Sequence, residues 1–234
     1  MKPGRMLVAT SIAAATLLGA TACTAPAPGP TTTPEESSMS PATRDLLTAA
    51  ATGDTAAARA AIDAGADIEA RGTGGMTALV AATKQNDVDT ARLLIEAGAD
   101  VNAKDDIQDS AYLYAGARGH DEILRLTLDN GADLKSTNRF GGTALIPASE
   151  RGLLATVRIL LQAGVDPNHV NNLHWTALHE AIVLGDGSTA YVEVVRALID
   201  GGADVTIRDG DGVLPRDLAT QRGYGAIAAE IDAA

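Results

Sequence analysis

Apolar residues fall at helical spacing in short stretches, such as Ala91, Leu94 and Ile95 or Val157, Leu160 and Leu161, each suited to one face of a helix. The stretches recur at a fixed interval. The triplet Gly-Ala-Asp begins at Gly65, Gly98 and Gly131, returns as Gly-Val-Asp at Gly164 and recurs at Gly202, in steps of 33, 33, 33 and 38 residues. Ala49, Ala82, Ala115, Ala148, Ala181 and Ala219 keep the same steps, as do Gly53, Asn86, Gly119, Gly152, Gly185 and Gly223. Three columns sharing one period, broken once by five extra residues, define an internal repeat.

Each column has a physical reading. The alanines predict a place where two helices approach too closely for a larger side chain. The Gly/Asn column predicts the turn between the two helices of a unit. A left-handed backbone there costs glycine nothing and asparagine little, which accounts for Asn86. The glycine of each Gly-Ala-Asp ends a second helix, and its aspartate is placed to accept hydrogen bonds from amides of the following loop. The extra residues fall around Asp186 to Tyr191 and are expected to bulge from the helix–helix turn, as plain surface or as a private contact site.

At this point the chain resembles the ankyrin repeat, a turn plus two antiparallel helices. The family pattern Gly-x-Thr-Pro-Leu-His is met by Gly75-Met76-Thr77-Ala78-Leu79, by Gly142-Thr143-Ala144-Leu145, and by Trp175-Thr176-Ala177-Leu178-His179. Alanine stands for proline at 78, 111, 144 and 177, and only Pro215 keeps it. Proline there presets the first helical turn, so alanine is tolerated. Ser110, Tyr112 and His174 depart from the usual Thr, Leu and Gly, which bears on local turn geometry.

The resemblance implies an α-helical solenoid of about six helix-turn-helix units joined by hairpin loops, over 42–71, 72–104, 105–137, 138–170, 171–208 and 209–234. The first unit lacks the opening loop motif and the last lacks a following Gly-Ala-Asp, so they read as caps. The stretches 139–152 and 171–187 look like a bacterial branch of the family found in exported proteins. Tyr112 aligns with Leu79 and Leu145 and is expected in the core. Pro147 is expected either to bend or shorten its helix, or to mark a helix that starts late.

Composition fits this architecture. Aromatic residues make up only 3% of the chain, so small aliphatic side chains must fill the core, which suits thin stacked layers. A net charge of −12 speaks against nucleic acid, whose phosphates need a basic stripe, and suggests a basic or neutral protein partner. The single cysteine rules out an internal disulfide framework.

That cysteine sits at the end of a leader. Lys2 and Arg5 precede an uncharged run from Leu7 to Ala22, shorter than the roughly 20 residues a membrane-spanning helix needs. Ala20-x-Ala22 suits the ordinary signal peptidase. The small residues before Cys23 also resemble the bacterial lipobox, although Ala20 stands where leucine is usual. Residues 23–41 are rich in Pro, Thr and Ser and read as an extended tether. The expected organisation is a signal peptide over 1–22, a lipid-bearing Cys23 with its tether to 41, and a repeat domain over 42–234. The chain is expected outside a bacterial cell, held to the membrane only through that lipid, or else periplasmic or secreted.

The resemblance implies a non-enzymatic scaffold that binds a protein partner, with no cofactor and as a monomer. The expected contact surface is the row of loop tips and the outer face of each first helix. Its candidate residues are Trp175, Phe140, Tyr114, Met76, Arg139 and His174. Tyr114 is placed outward because it aligns with Ala81, Pro147 and Glu180. His169, His174 and His179 at five-residue steps raise the alternative of an accessory protein binding a metal or small molecule; a structural spacer is the other. No second cysteine or carboxylate set completes a zinc shell, and His179 stands at the family's own histidine position, where the imidazole braces the adjacent loop. Asp209-Gly210-Asp211-Gly212 lacks the distal glutamate of a calcium loop, and no Gly-x-Ser-x-Gly elbow occurs.

Overall fold

The computed structural model describes residues 39–234. The leader over 1–22, Cys23 and the tether as far as residue 38 lie outside the described residues. Among the described residues there are twelve α-helices and no strand, and no helix is long and apolar enough to cross a membrane.

The helices pair into six units. The first helices are α1 (Pro41–Thr52), α3 (Ala78–Lys84), α5 (Ala111–Arg118), α7 (Leu145–Glu150), α9 (Ala177–Val183) and α11 (Pro215–Gln221). The second helices are α2 (Thr55–Asp63), α4 (Val88–Glu96), α6 (Asp121–Asp129), α8 (Leu154–Gln162), α10 (Thr189–Asp200) and α12 (Gly225–Asp232). Each first helix packs on its own second helix and on the first helix of the next unit. This is the expected α-helical solenoid.

Hydroxyl residues start four of the six first helices. Ser40, Thr77, Ser110 and Thr176 accept from the amides of Thr43, Val80, Leu113 and His179, which satisfies a helix-start N–H that would otherwise lack a partner. The core repeats with the sequence. Ala49, Ala82, Ala115, Ala148, Ala181 and Ala219 are all buried, with Leu46, Leu79, Tyr112, Leu145 and Leu178 beside them. A larger residue in the alanine column would overpack adjacent layers, at a typical cost of about 1–3 kcal/mol.

The turn column adopts the left-handed backbone at Gly53, Asn86, Gly119, Gly152 and Gly223, with φ of 73°, 55°, 73°, 65° and 76°. Gly185 departs from it, because the left-handed residue of the fifth unit is Gly187 at φ 73°. The insertion is therefore not a simple bulge. Helix α10 has 12 residues where α8 has nine, so most of the added chain lengthens the helix and only the rest widens the turn. The longer helix carries Tyr191 over Gly185, where the ring leaves no room for a Cβ. The Tyr191 hydroxyl then donates to the Glu150 carbonyl at 2.8 Å.

Pro147 shortens α7 at its beginning. This helix has six residues and starts at Leu145, one position later than Ala78, Ala111 and Ala177 in their units. Proline has no N–H to enter the ladder, and the Ile146 amide turns back to the Thr143 carbonyl at 3.2 Å. Thr143 loses the capping role of Thr77 and Thr176, and its buried hydroxyl has no hydrogen-bond partner.

Candidate partner-binding surface

Between units the chain forms a hairpin, numbered second to sixth after the unit it opens and closed by one backbone bond. The amides of Gly72, Asp105, Asn138, Asn171 and Asp209 donate to the carbonyls of Met76, Asp109, Gly142, Trp175 and Val213 at 2.8–3.0 Å. In the last four, the Asp or Asn side chain also accepts two tip amides, for example those of Leu173 and Trp175 on Asn171 Oδ1 at 2.9 and 3.1 Å. The aspartates of the Gly-x-Asp triplets behave as expected. Asp67, Asp100, Asp133, Asp166 and Asp204 each accept from the amide two residues on. These bonds fix each tip on a rigid base.

The apex residue of every hairpin is left-handed. Gly75, Gln108, Gly141, His174 and Gly212 have φ of 69°, 67°, 74°, 58° and 78°. The departures from glycine thus leave the turn intact, at a strain of about 1–2 kcal/mol for a residue with a Cβ. Glycine matters differently at 75 and 141. A Cβ there would run into Asp106 or Asn172 of the next hairpin. Without it, the Asp106 amide reaches the Gly74 carbonyl and the Asn172 amide reaches the Phe140 carbonyl, both at 3.0 Å.

The residue before the apex is the most exposed apolar position in the middle of the row. This column reads Gly74, Ile107, Phe140, Leu173 and Asp211. Ile107, Phe140 and Leu173 are 48%, 56% and 56% exposed, so three consecutive hairpins each present a large apolar side chain to solvent. Arg139 lies over the Phe140 ring at 4.7 Å from its centroid. Sequence reading found Phe140 but passed over Ile107 and Leu173, although the 33-residue step connects all three.

The other candidates divide. Arg139 and His174 are exposed on the tips. Met76 and Trp175 are half-buried, because they occupy the position whose carbonyl closes the hairpin. Tyr114 requires a correction. Its column does not point outward, since Ala81, Pro147 and Glu180 are buried and Tyr114 itself is half-buried. In the third and fifth units that side faces the base of a hairpin. In the fifth unit Asn171 Nδ2 donates to Glu180 Oε1 at 2.9 Å. In the third, Lys84 pairs with Asp105 at 2.6 Å, and the Tyr114 ring lies 5.4 Å from Lys84 Nζ, 5.5 Å from the Arg118 guanidinium and 5.8 Å from the edge-on His120 ring. Burial pushes the Glu180 carboxyl up to about 7, and the nearby Glu150 adds to the effect.

The three histidines of the fifth hairpin do separate work. His179 is fully buried, and its Nδ1 accepts from the Thr176 amide at 3.1 Å, completing a capping box. Burial holds its pKa below the usual histidine value, so it stays neutral. His169 Nε2 donates to the Gly141 carbonyl at 2.7 Å, bracing one hairpin against the previous one. His174 is the exposed apex. Among the described residues no group of three or more His, Cys, Asp or Glu side chains is arranged to hold a metal ion.

Stacked hairpin–helix–helix units with a rigid row of tips define a helical repeat scaffold. The family model for ankyrin repeats (3 copies) matches residues 37–105 and 112–209, and the chain belongs to the ankyrin-repeat family. It is similar to an ankyrin repeat domain from Acinetobacter baumannii AYE, with 54% identity and a TM-score of 0.79 over 80% of this chain and 96% of that one. It is also similar to the ankyrin repeat protein EF0377, with 39% identity and a TM-score of 0.78 over 81% of this chain and 97% of that one. No curated protein matches the chain. Ankyrin repeats generally mediate protein–protein binding, and the fold is typically non-enzymatic.

Proposed function

We propose that the chain is a non-enzymatic scaffold that holds a protein partner against its third to fifth hairpins, displayed outside a bacterial membrane through a lipid on Cys23. The observation that carries the binding surface is the aligned exposure of Ile107, Phe140 and Leu173. Apolar side chains on rigid bases lose little conformational entropy when covered, which favours binding. Phe140 anchors the middle of this surface, Arg139 and His174 flank it, Trp175 closes the fifth hairpin, and Met76 closes the second, which is bonded to the third through Asp106. The membrane part rests on the uncharged run from Leu7 to Ala22 and the small residues before Cys23.

Two measurements test the two parts. Crosslinking in the native host followed by pull-down should recover a protein partner with the wild type and lose it when Ile107, Phe140 and Leu173 are all changed to Ser. Unchanged recovery would rule out the tips. Intact mass of the membrane-extracted protein should show a chain starting at Cys23 and carrying diacylglycerol; an unmodified chain cleaved after Ala22 would exclude the anchor.

A further inference from the structure

We infer that the surface selects an acidic segment of its partner, one carrying carboxylates between apolar side chains, and this rests on the reading just proposed. The chain as a whole is strongly acidic, at −12, which taken alone points to a basic partner. Exposed Asp106 shares the third tip with Ile107, yet the cations that rest on aromatic rings gather on this surface. Every cation–aromatic contact among the described residues lies on this one surface: Lys84 and Arg118 on Tyr114, and Arg139 on Phe140.

The three cations are not equivalent. Lys84 is already committed to Asp105 and Asp109, at 2.6 and 3.5 Å. Arg118 and Arg139 are exposed, and no described carboxylate lies within ion-pair distance of either. Exposed arginines elsewhere divide, Arg196 pairing with Glu230 and Arg216 with Asp232 while Arg59, Arg92 and Arg222 pair with none, so what marks Arg118 and Arg139 is the aromatic ring beneath each. Each free guanidinium rests on an aromatic face that limits its orientations while its N–H groups stay open. A planar fork held in this way binds a carboxylate through two parallel hydrogen bonds at reduced entropic cost.

Position supports the same occupant. Arg139 stands on the fourth tip beside Phe140, between the apolar tips of Ile107 and Leu173. Arg118 ends α5 on the third unit, on the side where Tyr114 faces its hairpin. A segment lying across these units meets apolar tips and fixed guanidinium groups together. Alternating carboxylates and apolar side chains satisfy both.

The test is selection of a phage-displayed library of random short peptides on the full chain. The expected clones are rich in Asp and Glu next to Leu, Phe or Trp. Their binding falls as salt rises and is lost when Ile107, Phe140 and Leu173 are changed to Ser. Changing Arg118→Ala and Arg139→Ala together weakens them about tenfold or more, as for charge pairs covered by an interface. Clones that need the apolar tips but are neutral or basic, or that ignore removal of both arginines, overturn this inference and leave the binding surface standing. Finding only clones that bind regardless of the tip variant, or none at all, overturns the surface and the inference with it.

Discussion

The Tyr224 hydroxyl donates to the Gly185 carbonyl at 3.0 Å, while its ring occupies the space that a Cβ on Gly187 would need. Tyr191 makes the matching contact one unit earlier, on Glu150 and Gly185. Two of the few aromatic residues therefore fasten the turn that carries the insertion. Each links the start of a second helix to the end of the preceding unit's first helix, as His120 does on the Thr83 carbonyl at 3.0 Å. Tyr224→Phe should lower unfolding stability by about 1 kcal/mol, the usual worth of one hydrogen bond. Gly187→Ala should cost about 2 kcal/mol or more, since it combines left-handed strain with overlap on the ring. Urea denaturation of both variants checks the order, and equal effects would refute it.

Tyr112 gives the opposite sign. Its ring replaces a leucine in the core column and is fully buried, but its hydroxyl has no partner. Burial also raises its pKa, so the phenol stays neutral. Tyr112→Phe keeps the packing and removes an unsatisfied polar group, and should raise stability by about 1 kcal/mol. A lower melting temperature in the variant would show that the hydroxyl is bonded in solution.

Glu180 should make stability depend on pH. Its folded pKa of about 7 lies above the ordinary 4.5. Below 4.5 the carboxyl is protonated in both states and carries no penalty. As pH rises from there to about 7, the unfolded chain releases a proton that the folded chain keeps, so stability falls. Above that window the whole penalty is present, at most about 3 kcal/mol. Glu180→Gln keeps an acceptor for Asn171 and removes the titration, so its advantage over wild type should grow between those limits. Neutral His179 acts in the other direction, losing stability as pH falls, and cancels when the two chains are compared. A difference that stays flat with pH would place Glu180 in water.

The left-handed apices offer a simple gain. His174→Gly and Gln108→Gly should each stabilise by up to about 1 kcal/mol through relief of backbone strain, partly offset by glycine's extra freedom in the unfolded chain. Circular dichroism melting measures it. A loss in both would mean that these side chains make contacts stronger than the strain they carry.

Much of this structure was legible because the period exposes it. Alanines at fixed steps must share one environment, and all six are buried. The expected left-handed turn at Asn86 holds for the same reason. Tyr112 was readable from the leucines around it. The site was harder. Trp175 drew attention by residue type, yet its position closes a hairpin and half-buries it, whereas Ile107 and Leu173 stand out only when their column is followed. Column counting gave the length of the insertion but not its division between turn and helix. That division depends on Tyr191 and Tyr224 reaching carbonyls 41 and 39 residues away, which no local pattern encodes.

The backbone bonds between tips join the second hairpin to the third and the fourth to the fifth, through Asp106 and Asn172. Among the described residues no such bond joins the third to the fourth, where Gln108 stands at the apex instead of glycine and a lysine stem, Lys104 Nζ on the Thr137 carbonyl at 2.8 Å, spans the gap. Hydrogen exchange should therefore protect the Asp106 and Asn172 amides more than that of Arg139. The second to fifth tips are thus two bonded plates with a seam between Ile107 and Phe140, and at that seam no tip-to-tip backbone bond opposes adjustment to a bound segment.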